Sequence, residues 1–137
     1  MLLVISCHKP DDTPKPDTPR YTANMKGVRT WQGVQKYQCH TCIPVVESVP
    51  ANKTGTFEIE VENDTTIYDG SVPAAIRTLS DKMQLIATDV QNETVVFENN
   101  GQGKYMKVAF YNKTNKIVYT CIWETTRDKL EMVWTSQ

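Results

Sequence analysis

The chain has 137 residues, one domain's worth and long enough for a single hydrophobic core. Its 15 basic and 16 acidic residues leave a net charge of -1, which gives no electrostatic footprint for nucleic acid. At 39% apolar and 23% charged it has the make-up of an ordinary globular protein, and no stretch approaches the roughly 20 apolar residues of a membrane-spanning helix.

In chain order the first feature is Val4-Ile5-Ser6-Cys7, a short apolar run ending in a small residue before cysteine. It resembles the lipobox of bacterial lipoproteins. That resemblance implies cleavage before Cys7 and lipid on Cys7. The basic segment that normally opens a secretory signal peptide is missing, so residues 1–7 read as a truncated signal. Residues 8–20, HKPDDTPKPDTPR, contain no apolar side chain other than prolines and cannot bury a face; they read as a disordered, semi-rigid tether. A single β-domain over 21–137 follows. Lipobox, Pro/Asp/Thr tether and β-domain together resemble the small β-rich lipoproteins of the Bacteroidota type. The resemblance implies membrane attachment through the lipid anchor and a place in the cell envelope, as an outer-membrane lipoprotein facing the periplasm or the exterior. It supplies a location and no mechanism.

From Tyr21 the pattern changes to short strands. Residues 26–38 read as a first strand with Gly33 as a bulge or close-approach point. Residues 42–49 form a weaker candidate because of Pro44 and Pro50. In residues 56–62, Phe57, Ile59 and Val61 face in while Glu58, Glu60 and Glu62 face out, on a side expected to be exposed. Residues 65–68 follow the turn at Asn63-Asp64, and Asp69-Gly70 is a strong turn signal. Residues 74–79 suit either a short helix or a short strand. Strands over 83–88, 94–98, 104–111, 116–123 and 129–134 complete the series, with Gln91-Asn92, Asn99-Asn100-Gly101 and 126–128 between them.

The clearest unit is the hairpin Lys104–Trp123 around Asn112-Lys113-Thr114-Asn115. Pairing Tyr111 with Lys116 puts Met106, Val108, Phe110, Ile117, Tyr119, Cys121 and Trp123 on one apolar face. About eight to ten short strands at spacings near 8–12 residues, without helical periodicity, predict an all-β fold. The consecutive order favours an antiparallel meander, either an up-and-down barrel or a curled sheet, with a β-sandwich as the alternative. Gly27 and Trp31 on the first strand faintly resemble the glycine–tryptophan signature of lipocalins and fatty-acid-binding proteins, where the tryptophan closes one end of the barrel. The spacing departs from that signature.

Four cysteines are present. Cys39-His40-Thr41-Cys42 admits a redox dithiol, zinc ligation together with Cys121, or a structural role in an oxidising envelope. Cys121 is either a buried thiol or the partner of Cys39 or Cys42 in a long-range disulfide. No second CxxC, HxxxH, GxSxG, HExxH or phosphate loop is visible, so no catalytic residue, metal or cofactor is assigned. Four Asn-x-Thr triplets, at Asn52, Asn63, Asn92 and Asn112, read as turn chemistry.

The reading that follows is a non-enzymatic envelope module binding a small apolar ligand, a glycan or a protein. A barrel of about eight strands either fills with side chains or holds one small ligand. Trp31, Phe57, Ile59, Met106, Val108, Phe110, Tyr119 and Trp123 are its candidate cavity residues. The alternatives are a structural or inhibitor-type interaction subunit, with an exposed aromatic patch around Tyr105 and Tyr111, and a thiol or metal site at the CxxC.

Overall fold

The computed structural model describes residues 21–42, 46–47, 50–101 and 103–137. Cys7 and the tether over 8–20 lie outside them. The fold is all-β. A short helix, α1 (Thr22–Met25), precedes ten strands: β1 (Arg29–Cys39), β2 (Val46–Glu47), β3 (Ala51–Phe57), β4 (Ile59–Asn63), β5 (Thr66–Asp69), β6 (Lys82–Asp89), β7 (Thr94–Gly101), β8 (Lys104–Tyr111), β9 (Lys116–Glu124) and β10 (Asp128–Ser136).

All ten belong to one antiparallel sheet, in the order β2-β1-β10-β9-β8-β7-β6-β5-β4, with β3 also on β1. One curled sheet, rather than two stacked layers, answers the barrel-or-sandwich alternative. The curl closes through a single bent strand. β3 pairs with β1 from Phe57 opposite Arg29 to Ala51 opposite Gln35, and β4, one residue further on, pairs with β5 from Ile59 opposite Asp69. The chain from Ala51 to Asn63 thus serves two neighbours, one on each side of a corner at Glu58. Register shifts at Val61/Asn63 and Leu85/Ala87 add to the twist that lets the sheet curl.

Alternation dictates what fills the interior. The expected pairing of Tyr111 with Lys116 is present, and Val108, Met106 and Phe110 lie opposite Tyr119, Cys121 and Ile117. Trp31, Ile59, Met106, Val108, Phe110, Tyr119 and Cys121 join Met25, Ile67, Met83, Val95, Phe97 and Ile117 in one buried cluster. Each large apolar side chain so buried contributes roughly 1.5–3 kcal/mol before the entropy of ordering is set against it.

One end of the barrel is plugged. The α1 helix lies across it, with Met25 and Thr22 buried. The Thr22 hydroxyl donates to Asp64 at 2.6 Å and the Asn24 amide to Asn112 at 2.7 Å, tying the helix to two hairpin turns. Trp31 is fully buried, stacks on Phe57 with ring centroids 4.5 Å apart, and donates its indole N–H to the Phe57 carbonyl at 2.9 Å.

Several sequence expectations need correction. Residues 56–62 are not one strand, because the corner at Glu58 breaks them. Asp69-Gly70 does turn the chain, the Val72 N–H donating to the Asp69 carbonyl at 3.2 Å, and the turn opens a long connection holding 3-10 turns at Ala74–Ile76 and Leu79–Asp81. Asn99 and Gly101 continue β7 instead of ending it, since the ladder to β8 extends to Gly101 opposite Lys104. Of the Asn-x-Thr triplets, Asn52 lies inside β3 and not in a turn. Gly33 sits in unbroken register opposite Trp134, so it is a close-approach point and not a bulge. A Cβ there would come within 2.5 Å of the Trp134 ring.

Candidate functional site

The interior is solid around Trp31, Met83 and Phe110, but a cavity of about 650 Å³ opens beside the corner. Three pieces of chain build it. The bent strand contributes Gly55, Thr56, Phe57 and Glu58, and the start of the long connection contributes Asp69, Gly70 and Ser71. The inward face of β9 and β10 contributes Tyr119, Cys121, Trp123, Met132 and Trp134. Trp123 is 39% exposed and Ser71 is exposed, so the space communicates with solvent.

Packing explains why the space exists. Trp134 stands over the two glycines Gly33 and Gly55, and its ring meets Phe57 edge-on at 5.4 Å between centroids. Phe57 in turn meets Tyr119 edge-on at 6.4 Å. Rings packed against one another line one side of a cleft that is open to solvent and that no side chain fills. Its size lies within the roughly 300–1,000 Å³ of small-molecule sites.

The polar floor is Asp69, 4% exposed. Tyr119 donates its hydroxyl to Asp69 Oδ2 at 2.7 Å, and the Ser71 N–H and hydroxyl donate to Oδ1 at 2.9 and 2.6 Å. Burial first, and then the negative charge of Asp69, push the Tyr119 phenol far above its ordinary range, so it stays protonated and donating. Burial likewise pushes the Cys121 thiol up to about 11. It is therefore a thiol at neutral pH and a poor nucleophile.

An ion pair flanks the site. Lys104 Nζ lies 2.8 Å from Asp81 Oδ1 and 5.7 Å from the centre of the Trp123 ring. Burial raises the Asp81 carboxyl, but the Lys104 hydrogen bond and the Thr78 N–H outweigh it and hold Asp81 below its usual range. A carboxyl lowered on folding stabilises the fold above its unfolded value near 3.9, and that contribution is lost as pH falls through the folded value. Lys104→Met is therefore expected to flatten the decline of the thermal midpoint below about pH 4, and at pH 7 to cost about 2–4 kcal/mol by leaving a carboxylate unpaired. Melting curves across pH check both.

The expected cavity set divides. Phe57, Tyr119 and Trp123 line the space, whereas Trp31, Ile59, Met106, Val108 and Phe110 are core and do not. Asp69, Ser71, Met132 and Trp134 were missed. For Met132 and Trp134 the inward alternation of β10 carried the signal; Asp69 was hidden behind its turn-like glycine. Glu60 and Glu62 on β4 are exposed, as expected. They edge a groove of about 540 Å³ with Tyr68 and Arg77, where Arg77 pairs with Glu60 at 2.9 Å and lies 4.9 Å from the Tyr68 ring centre. Tyr105 and Tyr111 stand six positions apart on β8, about 20 Å by strand rise, and form no single patch.

Cys39 and Cys42 are bonded to each other, and Cys121 is free and buried. The long-range pairing with Cys121 is thereby replaced by a local cross-link at the end of β1. Among the described residues no three His, Cys, Asp or Glu side chains are grouped to hold a metal ion, and no helix is long and apolar enough to cross a membrane. Comparison of the chain with protein-family models, with curated proteins and with solved structures finds no match.

Proposed function

We propose that this protein is a non-enzymatic binding module of the cell envelope, held to the outer membrane by lipid on Cys7, whose β-domain takes a small, largely apolar ligand in the cavity beside Glu58. The observation that carries the reading is the cavity itself: aromatic rings locked by mutual contact around a volume suited to one small molecule. A preformed wall costs little further ordering when a ligand enters, which favours affinity. The inert character of the nearby thiol supports binding over nucleophilic chemistry, since burial holds Cys121 in the protonated form. The lipobox-like residues and the tether support the location.

Two measurements test it. Native mass spectrometry of the full chain extracted from its host membrane, followed by denaturation, is expected to show a small molecule in the native spectrum that is lost on unfolding. A bare native mass, together with no saturable binding of apolar ligands, overturns the cavity reading. Metabolic labelling with a clickable fatty acid is expected to mark the protein and to fail in Cys7→Ala; label persisting in that variant overturns the anchor.

A further inference from the structure

The charge pattern of the cavity narrows the ligand further, granted the binding reading above. Its lining holds two carboxylates, Asp69 and Glu58, and no lysine, arginine or histidine. The Asp69 carboxylate accepts three hydrogen bonds, all from neutral donors: the Tyr119 hydroxyl and the N–H and hydroxyl of Ser71. A carboxylate offers about four lone-pair sites, so one remains. A carboxylate this buried, held only by neutral donors, brings a negative charge into the lining with no positive charge beside it there.

The rest of the wall has the same electrostatic sense. Phe57, Trp123 and Trp134 present rings whose faces carry a negative quadrupole that attracts cations, although one face of Phe57 is stacked on Trp31 and Lys104 already stands over Trp123. Met132 adds a polarisable, adaptable surface. Lys104, beside the Trp123 ring, is paired with Asp81. An anionic ligand would meet carboxylates and ring faces, and a neutral one would leave Asp69 uncompensated.

We infer that the cavity binds an organic cation, a protonated amine on an apolar body, with the ammonium directed to Asp69 and the rim carboxylate of Glu58 and the body against Phe57, Trp123 and Trp134. This explains a deep carboxylate at the end of an otherwise aromatic site, which a store for neutral lipids does not need.

Three probes sharing one body separate charge from hydrophobicity: adamantylamine, adamantanol and adamantane carboxylate, titrated calorimetrically into the full chain at pH 7. The amine is expected to bind at least about tenfold more tightly than the alcohol, the gain of one charge-assisted hydrogen bond, with the carboxylate weakest. Asp69→Asn is expected to remove most of that preference, read as the ratio of amine to alcohol affinity within the same variant. Because Asp69 also supports the fold, Glu58→Gln at the rim serves as the second variant, with an expected loss of about twofold to fivefold for the amine alone. Trp123→Ala should weaken amine and alcohol together. Equal binding of amine and alcohol, or a preference for the carboxylate, overturns the cation inference and leaves an apolar-ligand cavity standing. Failure of all three probes overturns both.

Discussion

Replacing Trp31 with alanine is expected to remove about 4–6 kcal/mol of stability. Truncating a fully buried aromatic costs about 3–5 kcal/mol through lost transfer energy and the void left behind. The lost indole hydrogen bond to the Phe57 carbonyl adds about 1 kcal/mol, since that buried acceptor is left without its donor. Phe57 would also lose the ring it stacks on. Against a total of about 5–15 kcal/mol for a domain of this size, the variant should be marginally folded or unfolded at 37 °C. Urea unfolding followed by tryptophan fluorescence and circular dichroism measures it. A loss below about 2 kcal/mol would mean that α1 and Met25 settle into the void.

Gly70→Ala is the second change with a large expected effect, although it adds one methyl group. A Cβ at Gly70 would lie 2.1 Å from the Glu58 carbonyl oxygen and 3.0 Å from its carbonyl carbon. Those are backbone atoms at the corner where the bent strand leaves β1 for β5, so no side-chain rotation relieves the clash. Either the corner or the connection must move, at a cost of about 3 kcal/mol or more. The same displacement would shift Asp69 and Ser71, one residue to either side. Stability and ligand affinity should therefore fall together. Gly33→Ala offers the comparison: there the obstacle is the Trp134 side chain and not backbone, so it yields by giving up part of its contact with Phe57, and the loss of stability should be smaller while the cavity wall changes shape. Thermal melts of the two variants side by side give the ordering, and a greater loss for Gly33→Ala would contradict it.

These two glycines show where the sequence was readable and where it was not. The hairpin of β8 and β9 was legible to the residue, because alternation and a polar turn are local signals and Tyr111 does pair with Lys116. The inward position of Phe57, Ile59 and Val61 was equally legible. The break between them was not: Glu58 points outward in sequence whether the strand runs straight or turns a corner, and only the pull of two different neighbours bends it. Asp69-Gly70 was legible as a turn, and the Val72 N–H does donate to the Asp69 carbonyl at 3.2 Å. What the turn does was not legible: the Asp69 side chain collects hydrogen bonds inside the barrel and Gly70 makes room for the Glu58 carbonyl. Asn99 and Gly101 have turn-forming composition but are held in the ladder by β8. The cavity residues were half-found because alternation tells inside from outside and nothing more. Which inward side chains touch one another, and which face an unfilled space, depends on the curl of the sheet.

The pairing of the first long strand with the last has a consequence for the birth of the molecule. β1 has β2 and β3 on one side, and its other side finds a partner only in β10, so the ring cannot close until Ser136, opposite Trp31, has left the ribosome. Until then β1 and β9 both present unsatisfied edges, and the strands between them can zip only as an open ribbon. Non-local closure of this kind is slow, and open edges invite pairing with other chains. That exposure ends only when β10 docks and leaves no long edge open.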